Sequence, residues 1–292
     1  MKKVLTAYKS YLDDNCSENT RQSYMCDLEK FLKVQGIQKK KELVRIKSDI
    51  VDEYIQSLKN AGVSHPSVLR SIASLRKFFV YCVDEGIIKN DPTRNIEPPK
   101  AQKKLPVTMS DEEVVKLLEA PDKSTLKGIR DRAMLEVMYA TGARVGELVG
   151  LKINDVSLRN EFVVLTTGNK SRYVPMGKIA IEALYEYLQK CRGEIATEES
   201  GDALFLNFYG QPLSRQGFWK IVKGYIEGCK LNPGITVQSL RHSFALHMIK
   251  NGADTSVVSE MLGYSDSASI KKYVEVLNNT MRDIYKKSHP RA

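Results

Sequence analysis

Residues 91–106, DPTRNIEPPKAQKKLP, constrain the fold more than any other stretch of this chain. Four prolines fall within it. Each lacks an N–H and biases the residue before it toward extended backbone, so no helix can run through. On both sides of it, apolar residues recur at helical spacing. A chain of 292 residues interrupted in this way is expected to form two domains, 1–90 and 107–292, joined by an extended basic linker over 91–106.

Ahead of the linker, four helical stripes follow one another. Val4, Leu5, Tyr8, Tyr11 and Leu12 share one face over 2–15. Ser17 precedes a second stripe of Thr20, Tyr24, Leu28, Phe31 and Leu32, which Gly36 ends. A third runs from Ile50 to Leu58 and stops at Gly62; a fourth runs from Val68 to Cys82 and stops at Gly86. Beyond the linker, Ser110 and Glu113 form a capping box, and a long helix follows around Ile129–Thr141. FVVLTT (162–167) and RYVPM (172–176), joined by GNKS, read as a β-hairpin with a basic tip. Helices are expected over 178–190, 214–228, 236–251, 254–262 and 266–275. The fold class is mainly α with a small β-hairpin or sheet.

The formal net charge is +10 and it is unevenly spread. Residues 1–105 hold 20 Lys/Arg against 13 Asp/Glu, and the rest hold 25 against 22. Phosphate backbones are the commonest partner for such an excess, and the smaller part is the more basic, as a DNA clamp would be. A merely soluble basic surface has the same composition. Five scattered cysteines, without a C-x-x-C pair or a Cys/His cluster, argue against a disulfide framework and against structural zinc. The first residues carry two lysines with no apolar run behind them, and no 18-residue apolar run follows anywhere, so a cytoplasmic protein without a membrane partner is expected.

Three stretches carry candidate chemistry. In ATGARVGELVGL (140–151), Arg144 stands where a helix begins, after Gly142 and three residues before Glu147. It reads either as a surface ion pair or as an anion site with Glu147 orienting it. In TVQSLRHSFALHMI (236–249), Gln238, Arg241 and His242 fall in the first turns of a helix. A cation there opposes the helix dipole, and a bound phosphate would offset that. His242 and His247 each read as core or boundary residues rather than catalysts. LGYSDSASIKKYVEV (262–276) holds Tyr264 and Tyr273, and in a chain of 14 tyrosines packing is the default role. Lys271 and Lys272 read as a solvated face or as charge that attracts phosphate.

Taken together, these stretches resemble the tyrosine recombinases of the phage-integrase type, and among them the Xer-like group. ATGARVGELVGL is similar to the segment around that family's first catalytic arginine, LRHSFALHMI to the one around the second, and LGYSDSASIKKYVEV to the one bearing the nucleophile. CSENTRQSYMCDLEKF and LRSIASLRKFFVYCVDEGIIKNDPTRNIEPPK are similar to the DNA-clamping domain, and SHPRA to the C-terminus of the group. The resemblance implies a helical clamp domain and an α+β catalytic domain around duplex DNA. It implies Tyr273 as nucleophile, Arg144 and Arg241 on the phosphate, a 3′-phosphotyrosine link, and neither metal nor nucleotide cofactor. It also implies inverted-repeat half-sites, and a homo- or hetero-tetramer on two duplexes in which a last helix around VLNNTMRDIYKKS docks on a neighbour.

Three positions depart from the family pattern. Gln238 and Tyr264 stand where histidines are usual, and Thr167 stands where a lysine gives a proton to the leaving oxygen. Gln238 and Tyr264 can still donate hydrogen bonds. Thr167 is far too weak an acid, and Lys170 at the tip of the same hairpin is the candidate replacement, reached by a swing of the hairpin. The expected function is a site-specific recombinase, with a lean toward a mobile-element enzyme. The alternative is a DNA-binding protein of the same fold whose cutting is impaired or partner-dependent.

Overall fold

The computed structural model describes residues 1–99, 105–266 and 269–278. The expected helix around VLNNTMRDIYKKS lies largely outside them, as does SHPRA. The chain divides into two compact units, Met1–Lys103 and Lys104–Ala292.

The first unit is helical: α1 (Lys2–Asn15), α2 (Glu18–Val34), α3 (Ser48–Asn60) and α4 (His65–Asp84). Ser17 caps α2 by accepting from the Thr20 N–H. Pro66 occupies the first turn of α4, where a missing N–H costs nothing. The buried faces interlock Tyr8, Leu12, Phe31, Tyr54, Phe78 and Phe79. Rings meet edge-on, as between Tyr8 and Phe78 at 5.0 Å. Within this core the buried Asp27 of α2 is matched by Arg70 of α4 through two hydrogen bonds of 2.8 and 3.0 Å, so the carboxylate is not left bare.

The second unit opens with α5 (Asp111–Glu119), capped reciprocally by Ser110 and Glu113. Next comes α6 (Leu126–Thr141), buried on nearly every side as the central helix of the unit. It ends at Gly142 with φ +59°, and the one-and-a-half-turn α7 (Val145–Val149) follows. Three antiparallel strands come next in the order β1 (Val156–Ser157), β2 (Phe162–Thr167) and β3 (Lys170–Pro175). The remaining helices are α8 (Lys178–Tyr187), α9 (Gly193–Ile195), α10 (Arg215–Gly228), α11 (Val237–Lys250), α12 (Thr255–Leu262) and α13 (269–278).

The hairpin differs from expectation in two ways. The ladder runs two residues further, pairing Thr166 with Ser171 and Thr167 with Lys170, so only Gly168 and Asn169 turn. Gly168 supplies the positive φ of +58° that such a two-residue turn needs at its first position. β1 was not expected; two residues pairing with Phe162 and Val163 are too few to show alternation.

Candidate active site

The site is organised around the C-terminal end of α12. Gly263, in the left-handed conformation with φ +62°, closes that helix and leaves its last carbonyls pointing outward. Three arginines from distant parts of the unit each take one of them. Arg172 of β3 donates through Nε to the Met261 carbonyl at 2.7 Å. Arg241 of α11 donates through Nη2 to the Leu262 carbonyl at 2.7 Å, and Arg144 reaches the Gly263 carbonyl at 3.4 Å. Arg241 also donates through Nη1 to the carbonyl of Gly142, where α6 ends. Two helix C-termini, each carrying partial negative charge, thus balance a guanidinium that is only 1% exposed. The expected conflict between Arg241 and its own helix dipole is met by these carbonyls.

Glu147 is the counter-ion that binds the arginines to one another. Its side chain is buried, and it accepts from Arg144 Nη1 at 3.0 Å and from the Arg144 backbone N–H at 2.7 Å. Arg172 grips both its oxygens, at 2.7 and 2.9 Å, in the planar bidentate geometry that lysine cannot copy. Thr167 adds its hydroxyl, and Arg241 lies 4.0 Å from Oε2. Burial alone would raise the Glu147 pKa; the hydrogen bonds from Arg172, Thr167 and the Arg144 backbone outweigh it and hold the value at about 2. Glu147 is therefore ionised at neutral pH, and the cluster of three arginines and one carboxylate carries net charge +2. Arg144, the outermost, has a side chain 37% exposed, so part of that positive charge faces solvent. Of the two sequence readings for Arg144, the ion pair with Glu147 is formed, and it leaves the guanidinium partly open to solvent.

Tyr264 follows directly on the α12 cap. Its ring lies 5.3 Å beneath the Arg241 guanidinium, and its hydroxyl is 3.0 Å from that of Tyr273 on α13. Tyr273 is fully buried, and its oxygen also meets Nδ1 of His242 at 2.8 Å. Lys272 covers the Tyr273 ring at 4.9 Å, so it is more than a residue of a solvated face. Burial first, and then Tyr264, push the Tyr273 phenol well above its ordinary value. His242 is driven the other way, to about 4, by burial first and then by Lys272 and Arg241, so its imidazole is neutral at pH 7.

Of the six residues singled out in the sequence, Arg144, Arg241, Tyr264 and Tyr273 are joined by these contacts. Lys170 is exposed and lines, with Arg144, Thr167, Arg172 and Tyr264, a cleft of about 400 Å³. It faces Thr167 across the ladder, so the two side chains share a face of the sheet without any swing of the hairpin. Gln238 is exposed in the first turn of α11, one turn before Arg241, and among the described residues no contact ties it to the other five. Sequence reasoning missed Arg172 entirely and gave Glu147 only a supporting part. His242, read as a core or boundary residue, is partly buried and its Nδ1 is satisfied by the Tyr273 hydroxyl, a contact the sequence did not reveal. His247 does behave as a satisfied core residue, between the Tyr139 hydroxyl and the Met109 carbonyl. Among the described residues no group of three or more His, Cys, Asp or Glu is arranged to hold a metal ion, and no helix is long and apolar enough to cross a membrane.

Comparison with known proteins fits this arrangement. The profile of the phage integrase family matches residues 108–280, and that of the phage integrase N-terminal SAM-like domain matches residues 5–86. A tyrosine recombinase XerD of Halalkalibacterium halodurans is 40% identical over 94% of this chain and 93% of its own length. One of Staphylococcus haemolyticus is 40% identical over the whole of both chains. Among solved structures, the post-cleavage complex of the XerH site-specific recombinase with a palindromic difH substrate superposes with a TM-score of 0.78 at 25% identity. That match covers 97% of this chain and 85% of the other. A lambda integrase dimer on a COC′ core site shares the fold at 18% identity, with a TM-score of 0.73 over 94% of each chain. Two family profiles in order along the chain, full-length relatives at this identity, and arginines and tyrosines gathered at one helix end lead to one assignment: the chain belongs to the phage integrase family and is a site-specific tyrosine recombinase.

Proposed function

We propose that this chain cuts and rejoins double-stranded DNA with Tyr273 as the nucleophile, through a 3′-phosphotyrosyl intermediate. Arg144 and Arg241 neutralise the charge that grows on the non-bridging oxygens, where preorganised donors contribute most. Tyr264 and Gln238 donate hydrogen bonds to the same phosphoryl group. Lys170 gives a proton to the leaving 5′-oxygen, a contribution of about 10²–10⁴-fold. Residues 1–90 act as the clamp on DNA, 91–106 as the linker and 107–292 as the catalytic domain, on inverted-repeat half-sites and in the cytoplasm. Four protomers assemble on two duplexes. The place for a neighbour's helix is a groove of about 800 Å³ whose floor of Val114, Leu118, Tyr139, Phe244 and Met248 is bordered by charged residues such as Glu119, Arg132 and Glu136.

One observation carries this reading. Arg144, Arg241 and Tyr264 meet at the end of α12, and Tyr273 is hydrogen-bonded to Tyr264 there. Because Tyr273 is buried, DNA must open the surroundings of α13 before a phosphate reaches its oxygen. The test uses duplexes nicked beside the cleavage position, so that the released fragment diffuses away. A covalent adduct with wild type that is absent with Tyr273→Phe supports the proposal. DNA binding without an adduct would favour the alternative reading, a DNA-binding protein whose chemistry is impaired at Thr167, Gln238 and Tyr264 or waits on a partner.

A further inference from the structure

We propose that His242 is a catalytic residue, the base that takes the proton of Tyr273. This rests on the reading of Tyr273 as nucleophile given above. A phenol pushed above its ordinary range by burial does not ionise alone at neutral pH, so attack on phosphorus requires a proton acceptor in contact with its oxygen. The groups facing that oxygen can be named one by one. Lys272 is an ammonium and Arg241 a guanidinium, and neither has a free lone pair. Tyr264 is itself a phenol, 3.0 Å away. Among the described residues, His242 alone brings a basic nitrogen within reach, Nδ1 at 2.8 Å. Its imidazole is kept neutral by burial and by Lys272 and Arg241, and is therefore able to accept. Gln238, one turn earlier on the same helix, is exposed and cannot take up a proton near neutral pH.

The step balances as follows. The Tyr273 hydroxyl donates to Nδ1 of His242, which leaves the Tyr264 hydroxyl to donate to the phosphoryl group. As the Oη–P bond forms, the proton passes to Nδ1 and an imidazolium results. The P–O5′ bond breaks and the 5′-oxygen leaves as a hydroxyl with the proton from Lys170. An incoming 5′-hydroxyl reverses each transfer and restores both residues. The approaching phosphate, an anion, raises the basicity of His242 at the moment it is needed. Arg241, the next residue on α11, fixes the same helix to the α12 end, so the base and the phosphate-binding guanidinium move together.

The experiment compares wild type and His242→Asn in single-turnover adduct formation at saturating protein. Asparagine places an acceptor oxygen close to Nδ1 and keeps a hydrogen bond to Tyr273 without taking its proton. The expected result is a loss of about 10²-fold with DNA affinity within about twofold of wild type. The loss should persist on a duplex with sulfur in place of the bridging 5′-oxygen, whose leaving group needs no proton, whereas Lys170→Ala should recover there. Wild-type adduct formation should fall on the acid side as His242 protonates, and that limb should be absent in His242→Asn. An unchanged rate in the variant would overturn the proposal, since the phosphate or solvent would then be the acceptor. A faster rate would overturn it too, making the hydrogen bond a latch. Were the variant unable to bind DNA, the wild-type profile decides, and a flat acid side overturns the proposal. A wild type without adduct would instead refute the nucleophile reading on which this one rests.

Discussion

Replacing Glu147 by glutamine tests whether one carboxylate organises the arginine cluster. Glutamine has the shape of the protonated acid, so the variant imitates Glu147 without its charge. The folded value of about 2, against an ordinary 4.5, reflects the hydrogen bonds from Arg172, Thr167 and the Arg144 backbone winning over burial. Since the folded pKa is depressed, the stabilisation is fully present above the unfolded value and is lost as pH falls through the folded one. A shift of this size corresponds to about 3 kcal/mol at pH 7, shrinking to about 1 kcal/mol near pH 3. With a urea slope of about 1–3 kcal/mol per molar, the midpoint at pH 7 should fall by about 1–3 M. Trp219, the chain's one tryptophan, lies on α10 in the second unit, so its fluorescence follows that unit. Equal midpoints for wild type and Glu147→Gln at pH 7, or a gap that does not narrow toward pH 3, would refute the reasoning.

Other consequences follow from the same geometry. A Cβ at Gly142 would stand 2.4 Å from the Phe244 ring and 2.8 Å from Leu262, at a φ of +59° that alanine disfavours. Gly142→Ala should therefore cost on the order of 1–3 kcal/mol in the same urea assay. Arg172→Lys keeps the charge but loses the bidentate grip on Glu147 and the bond to Met261. It should destabilise the second unit by about 1–3 kcal/mol in the Trp219 transition while DNA affinity changes little. Tyr264→Phe keeps the ring under Arg241 but removes the hydroxyl next to Tyr273. Adduct formation should slow by about 10²-fold with binding preserved, measured in single turnover.

Local signals in the sequence were enough to locate most helices. Ser110 with Glu113, Ser17 ahead of α2, and the stripe from Val68 to Cys82 each act within a turn or two of the chain, where spacing and capping chemistry suffice. The family's motifs put Arg144, Arg241 and Tyr273 on the page but could not say what holds them. The grip of Arg172 on Glu147 spans 25 positions, and the convergence of three arginines on Met261, Leu262 and Gly263 depends on four elements packing together. No periodicity announces such a junction. His242 was hidden for a related reason: a histidine beside a buried arginine on an apolar helix looks like packing until the helix carrying Tyr273 is laid against it. The turn at Gly168-Asn169 was legible in kind, but the two extra ladder pairs were not, because Lys170 and Ser171 carry no strand signal.

Tyr264 and Tyr273 hold their oxygens 3.0 Å apart, so the central claim reduces to which of them DNA becomes attached to. Digesting the covalent complex to peptides and sequencing the nucleotide-bearing one by mass spectrometry answers this directly. The account predicts a peptide joined through the Tyr273 oxygen to a 3′-phosphate. Attachment through Tyr264, or a 5′-phosphate link at either residue, would contradict it.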